Sequence, residues 1–224
     1  MLGVMTRPRL LDLFCGAGGA ARGYQMAGFR VTGVDIAPQP RYAGDEFTCA
    51  DAMTYPLGGF DAIHASPPCQ DYSKAMRHLS GSYPRLIGPV RDRLAAAGVP
   101  WVIENVPGAP LPVQDDLFGA YGTRLCGTMF GLPIWRHRLF EASFPLAAPR
   151  SCDHILQPMN PHRAVRPGGR TSEPGWRKAM GVGWMSRPEG REAIPPAYTE
   201  YIGGLLMAEL VTSSRQPCRP GARS

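Results

Sequence analysis

The sequence predicts an α/β fold: a doubly wound, mostly parallel sheet joined to a small, irregular, basic subdomain. Three observations predict it. Short apolar runs alternate with helix-like segments through the first two thirds of the chain. The first run ends at a glycine turn, "CGAGG", and later runs end at an acid or a cysteine. Beyond about residue 147 the periodicity fails and Pro, Gly and Arg take over.

In order, "RLLDLF" is a strand closed by the glycine turn, and "AARGYQMAG" is a helix stopped by Gly28. "FRVTGVD" is a second strand, ending in Asp35, and "FTCADAM" a short third that delivers Asp51. "FDAIHAS" is a fourth strand that runs into "PPCQ". "RLIGPVRDRLAAAG" is helical, with Pro89 limiting its first half. "VPWVIENV" is a fifth strand ending in Glu104 and Asn105, and "RHRLFEASF" a sixth. "IPPAYTEYIGGLLMAEL" is a helix whose Tyr198, Ile202, Leu205, Leu206 and Leu210 share a face. The expected division is a catalytic, cofactor-binding domain over 1–146, a basic segment over 147–191, a returning helix over 192–211 and a disordered tail over 212–224.

Composition narrows the class. Hydrophobic residues are 44%, enough for a core, while 27 Gly and 24 Pro imply many irregular loops. No apolar run approaches a membrane span and the N-terminus lacks a secretory layout, so a cytoplasmic protein without membrane contact is expected. The six cysteines are scattered and read as reduced. Net charge is +6, and the stretch 136–191, with ten basic and four acidic residues, carries an excess equal to all of it. A basic segment on a neutral scaffold fits a polyanion, nucleic acid above all, or else a solvated arginine-rich surface.

In a parallel sheet, ligands sit outside the carboxyl ends of the strands, so the glycine turn, Asp35, Asp51, Cys69 and Glu104 should gather on one edge. The turn and Asp35 suit a nucleotide, NAD as well as S-adenosylmethionine, since the full G-x-G-x-x-G spacing is missing. Asp51 fits an adenine acceptor or a simple turn cap. Cys69 lies beyond its strand, where a thiolate could reach a ligand. Burial should raise the pKa of Glu104 and leave it partly protonated; its alternative is a strand-end carboxylate paired to arginine. A nucleophile beside a carboxylic acid suits attack on an electron-poor heteroaromatic ring. "CDH" at 152–154, with Cys126 and His162, contains zinc-ligand types, but the spacing matches no usual pattern, so no metal is expected. Trp176 and Trp184 suit base contact or, more simply, a small core.

"LLDLFCGAGG", "GVD", "SPPCQ", "ENV", "RHRLF" and "IPPAYTEYIG", in this order, resemble the DNA (cytosine-5)-methyltransferases, in particular the short bacteriophage and prophage type. The resemblance spans about 10–206, interrupted by the basic segment. It implies the Rossmann-like fold of S-adenosylmethionine-dependent methyltransferases, and double-stranded DNA as partner in a bacterial or phage-infected cell, with the chain a monomer or weak dimer. S-adenosylmethionine would lie against Phe14, Gly16, Gly18, Ile36, Ala52 and Pro68, with Asp35 on its ribose and Asp51 on its adenine. Cys69 would add to C6 of a flipped cytosine, Glu104 would hold N3 and the amino group, and Arg138, backed by Arg136, would bind O2. The stretch 71–83 would be a loop closing over the base. An RNA cytosine-5 methyltransferase, a catalytically weak or inactive DNA-binding relative, and an NAD-dependent oxidoreductase that would leave "PPCQ" and "ENV" unexplained are the alternatives. Two positions depart from the pattern: Ile134 stands where the family has Gln, and Glu192 where it has Asn. The basic segment is also short for target recognition, implying a short or relaxed site.

Overall fold

The computed structural model describes residues 6–69, 85–112, 121–154 and 173–215. Among these, seven strands form one sheet: β1 (Arg9–Leu13), β2 (Arg30–Asp35), β3 (Glu46–Cys49), β4 (Ala62–Ala65), β5 (Trp101–Asn105), β6 (Tyr121–Leu125) and β7 (Arg138–Ala142). The helices are α1 (Gly19–Met26), α2 (Ile87–Ala95), α3 (Glu173–Met180), α4 (Arg187–Glu192) and α5 (Pro196–Arg215). Strand order is β3-β2-β1-β4-β5-β7-β6. β1 to β5 pair in parallel, and β7 runs antiparallel to both β5 and β6. The expected doubly wound, mostly parallel sheet is therefore present, and its strand order reverses at β1 and β4, where such sheets open a crevice.

Successive side chains of a strand point to opposite faces, and both faces are covered. Leu10, Val31, Ala62 and Val102 face α1 and α5, packing with Tyr24, Phe29, Tyr198, Ile202 and Leu206. Leu11, Leu13, Val34, Ile63 and Ile103 face α2, packing with Ile87, Val90 and Leu94. α1 meets α5 through glycines. A Cβ on Gly23 would lie 2.1 Å from the Pro196 carbonyl oxygen, and one on Gly203 2.5 Å from the Ala27 side chain. Thr199 Oγ1 completes the seam by donating to the Ala20 carbonyl at 2.9 Å.

Several expected elements differ in detail. "RHRLF" forms the seventh strand rather than the sixth, because "YGTRL" supplies β6. Pro89 does not limit its helix: it is the third residue of α2, where the amide has no intrahelical acceptor to lose. The basic segment is not wholly irregular, since α3 and α4 lie within it; α4 starts at a Ser186–Glu189 capping box with proline in its first turn. The last helix runs on to Arg215, four residues past its expected end. No helix among the described residues is long and apolar enough to cross a membrane.

Candidate active site

The carboxyl ends of β1, β2, β4 and β5 surround a cavity of about 560 Å3. Its lining includes Phe14, Gly16, Asp35, Ile36, Asp51, Ala52, Pro68, Cys69, Glu104 and Arg138. Ten of the twelve candidate residues thus share one space. Gly18 and Arg136 do not line it. Gly18 instead caps α1 with φ 81°, and a Cβ there would come within 2.8 Å of the Ala43 amide nitrogen. Arg136 is half-buried, its Nε donating to the Ala193 carbonyl at 2.9 Å while the Tyr198 hydroxyl donates to the Arg136 carbonyl. It fastens the β7 entry to the residues between α4 and α5.

One end of the cavity is made of backbone and half-open carboxylates. Phe14 turns the chain out of β1 with φ 58°, a left-handed conformation unusual for an aromatic residue. Gly16 follows, and the space a Cβ would occupy there is open. Asp35 Oδ2 accepts from the Gly16 amide at 2.9 Å and Oδ1 from the Ala37 amide at 3.0 Å, tying the glycine turn to the end of β2. Asp51 Oδ1 accepts from the Met53 amide at 2.8 Å, so it caps a turn and also faces the cavity. Ile36 beside them is 77% exposed, an apolar side chain this fold would otherwise bury. An open glycine cradle, a carboxylate at the end of β2 and an uncovered aliphatic flank fit a ribose and a purine.

The other end is built from buried charge. Glu104, the fourth residue of β5, pairs with Arg138, the first of β7, at 2.9 Å between Oε1 and Nε, with both side chains about nine-tenths buried. Burial pushes the Glu104 carboxyl up, against opposing pulls from Arg138, a Ser66 hydrogen bond and Arg136. Both sequence readings of Glu104 therefore hold: it is arginine-paired, and its pKa is raised.

A buried chain stands behind Glu104. Tyr24 Oη lies 3.0 Å from His64 Nδ1, and His64 Nε2 lies 3.0 Å from Ser66 Oγ. Burial pushes the His64 pKa down to about 3, so the imidazole is neutral. Ser66 donates to Glu104, which leaves Ser66 Oγ to accept from Nε2–H and Nδ1 to accept from Tyr24. The tautomer is assigned from this pattern. Every hydrogen bond in the chain then points toward the carboxylate.

Cys69 sits where "PPC" leaves β4. Asn105 holds that turn, its buried side-chain amide donating to the Pro67 carbonyl at 2.9 Å. Burial raises the Cys69 pKa; Arg138 pulls it down, and Glu104 and Glu192 push it further up. The thiol form is favoured, because one guanidinium does not offset burial and two carboxylates.

Sequence reasoning missed two features. Asp12, in the middle of β1, lines the cavity with both carboxyl oxygens buried and without a well-formed hydrogen bond. Burial, then Asp35, raise its pKa well above the ordinary value, with the Ala21 amide pulling the other way. The second feature is a wall contributed by the basic segment: Met185, Pro188 and Glu189 line the cavity, with Glu192 just beyond the segment, while Met180, Val182 and Met185 pack on Ala17 and Ile134. Trp184 belongs to this packing and donates Nε1–H to the Ala17 carbonyl at 3.1 Å, which is the core role rather than base contact. Part of the segment's positive charge is also spent internally: Arg150 and Arg177 donate to the Met129 and Met185 carbonyls. The expected loop 71–83, His162 and the Trp176 side chain lie outside the described residues.

No protein-family profile matches the chain, and no curated protein matches it. Solved structures do. A candidate DNA modification methyltransferase encoded within an E. coli prophage is 19% identical, covering 60% of this chain and 46% of its own, with a TM-score of 0.42. The S. pombe Dnmt2 methyltransferase is 17% identical, covering 74% and 61%, at 0.45. The Entamoeba histolytica methyltransferase EhMeth is 17% identical, covering 66% and 58%, at 0.46. The chain thus spans between 46% and 61% of the length of these three proteins.

Proposed function

We propose that this chain is an S-adenosylmethionine-dependent methyltransferase acting on C5 of cytosine in double-stranded DNA. One observation carries the reading: Cys69, Glu104 and Arg138 face one cavity whose other end is a glycine cradle flanked by Asp35, Asp51 and Ile36. When bound, the cofactor supplies an electrophilic methyl group.

The protein's own residues do the rest. Gly16, Asp35 and Asp51 hold the nucleoside part, and Phe14, Ile36, Ala52 and Pro68 flank it. A cytosine in a duplex presents neither ring face, so it must enter unstacked. Arg138 then holds O2, and Glu104, with its raised pKa, donates toward N3 and accepts from the amino group. Protonation at N3 draws electron density from the ring as Cys69 Sγ bonds to C6 and the thiol proton leaves. C5 becomes nucleophilic and takes the methyl group. Loss of the C5 proton to a base, cleavage of the Sγ–C6 bond and return of the N3 proton to Glu104 restore the aromatic ring, the free cysteine and the acid.

The test is incubation of the full chain with methyl-tritiated S-adenosylmethionine and duplex DNA, followed by nucleoside analysis. Label in 5-methyldeoxycytidine is expected. Absence of that product on every duplex, or label entering transfer RNA alone, overturns the reading. One observation favours a second reading, a cytosine-binding relative with little turnover: burial, reinforced by Glu104 and Glu192, raises the Cys69 pKa and favours the thiol. Duplex DNA carrying 5-fluorocytosine separates the two, because only an attacking Cys69 yields a covalent adduct.

A further inference from the structure

Outside the cavity, one cluster of side chains has no part in the chemistry above. Cys126 directly follows β6, His137 directly precedes β7, and Cys152 and His154 lie on the chain leaving β7. The ladder explains the first pair. Leu125 and Arg138 are register partners at the end of the antiparallel β6–β7 pairing, so Cys126 and His137 are the next residues across it. The chain after β7 then returns to the same corner, where Arg150 bonds the Met129 carbonyl and the Asp153 amide bonds Thr128 Oγ1.

The four donor atoms all lie within 4.8 Å of one another. Cys126 Sγ is 3.4 Å from His154 Nε2, and Cys152 Sγ is 3.8 Å from His137 Nε2. A tetrahedral zinc ion, with bonds of ~2.3 Å to sulfur and ~2.0–2.1 Å to nitrogen, sets its ligand atoms roughly 3.3–3.8 Å apart. Two separate thiol–imidazole hydrogen bonds would explain two short distances, but not the convergence of all four donors on one point.

We propose that Cys126, His137, Cys152 and His154 form a structural zinc site. Two thiolates and two imidazoles are the ligand set that selects zinc, and four protein ligands close the coordination sphere. None of the four lines the reaction cavity. Surrounding contacts orient the ligands: Thr128 Oγ1 donates to Cys126 Sγ at 3.5 Å, and Trp135 stacks on His154 with ring centroids 4.7 Å apart.

The site would do two things. It would anchor residues 147–154, which have no regular secondary structure, at the point where the chain enters the basic segment. It would also fix the backbone between Arg136 and Arg138, since His137 separates them. A metal staple suits a small lobe with too few apolar residues for a core of its own. The ligand pattern is C-x10-H-x14-C-x-H. No usual finger spacing contains it, and His137 reads as part of an arginine motif. For both reasons the sequence pointed away from a metal.

The test uses the full-length protein purified under reducing conditions and dialysed. Elemental analysis should find one zinc per chain, and X-ray absorption should resolve a shell of two sulfurs and two nitrogens. Cobalt added to the stripped protein should give tetrahedral d–d bands and thiolate-to-metal charge transfer. Cys152→Ala and His154→Ala should lose the charge-transfer signature or the full zinc equivalent, and a chelator should lower the wild-type Tm while leaving theirs unchanged. Metal-free protein with no cobalt spectrum overturns the site. So does a zinc shell of nitrogen and oxygen only, or a Cys126–Cys152 disulfide in the native protein. The absorption and cobalt readings rest on the wild type, so they decide the matter even if a variant fails to fold.

Discussion

The two ends of the cavity solve different problems with different materials. At the Asp35 end, each carboxylate is held by backbone amides, and an aliphatic side chain stands exposed beside it. At the Glu104 end, the groups are nearly dry, and they are held by each other and by a hydrogen-bonded chain from Tyr24. The first arrangement binds a polar ligand at little cost to the fold. The second holds charge out of water, which strengthens each interaction and makes each costly to leave unpaired. Substitutions at the open end should therefore weaken binding, and those at the dry end should stop turnover.

The largest effect should come from Cys69→Ala, with turnover falling on the order of 10^4-fold or more while cofactor affinity stays unchanged. Methyl-transfer rates and calorimetric titration check this, and a comparable loss of cofactor affinity would erase the division between the ends. Glu104→Gln keeps the shape and removes the proton, so kcat should drop by roughly 10^2–10^4-fold. A variant with wild-type kcat would show that the proton comes from elsewhere. Asp35→Ala frees the Gly16 amide and removes a charged acceptor. Cofactor Kd should rise by about 10- to 100-fold, with a smaller change in kcat at saturation.

The smallest effect concerns stability. Burial raises the Asp12 pKa, so the folded protein holds this proton more firmly than the unfolded chain. Stability from that group is fully present below its ordinary value of 3.8 and is lost as pH rises toward the folded value. Asp12→Asn should remove this slope. As pH rises above 3.8, its urea midpoint should fall less than that of the wild type. Parallel curves for the two proteins would place the buried charge elsewhere.

Both ends of the cavity were legible in the sequence because their signals are local. A glycine turn, an acid at a strand end and a cysteine behind two prolines each declare themselves within a few residues. Asp12 did not, because one polar residue inside an apolar run looks like a solvent-facing strand position, whereas here both sheet faces are covered. β6 escaped notice because five residues containing Gly122 and Arg124 show weak strand preference, and pairing with β7 supplies the rest. α3 and α4 were hidden by their internal proline and glycine, though the Ser186–Glu189 capping box was there to be read. The Cys126–His137–Cys152–His154 corner was read only in part: Cys126, Cys152 and His154 stood out as zinc-ligand types, but their meeting with His137 depends on strand register and on a chain that returns.

The seam between α1 and α5 bears on how this protein is made. Thr199 bonds to Ala20 across 179 residues of chain, and Gly23 meets the Pro196 carbonyl at the same junction. A chain emerging from the ribosome exposes α1 long before α5. Until then, the face of the sheet that carries Leu10, Val31 and Val102 has α1 but not α5 to cover it, and Arg136 has no Ala193 carbonyl to hold. The nascent polypeptide therefore carries every strand of the sheet well before it can close the cavity. Closure waits for α5.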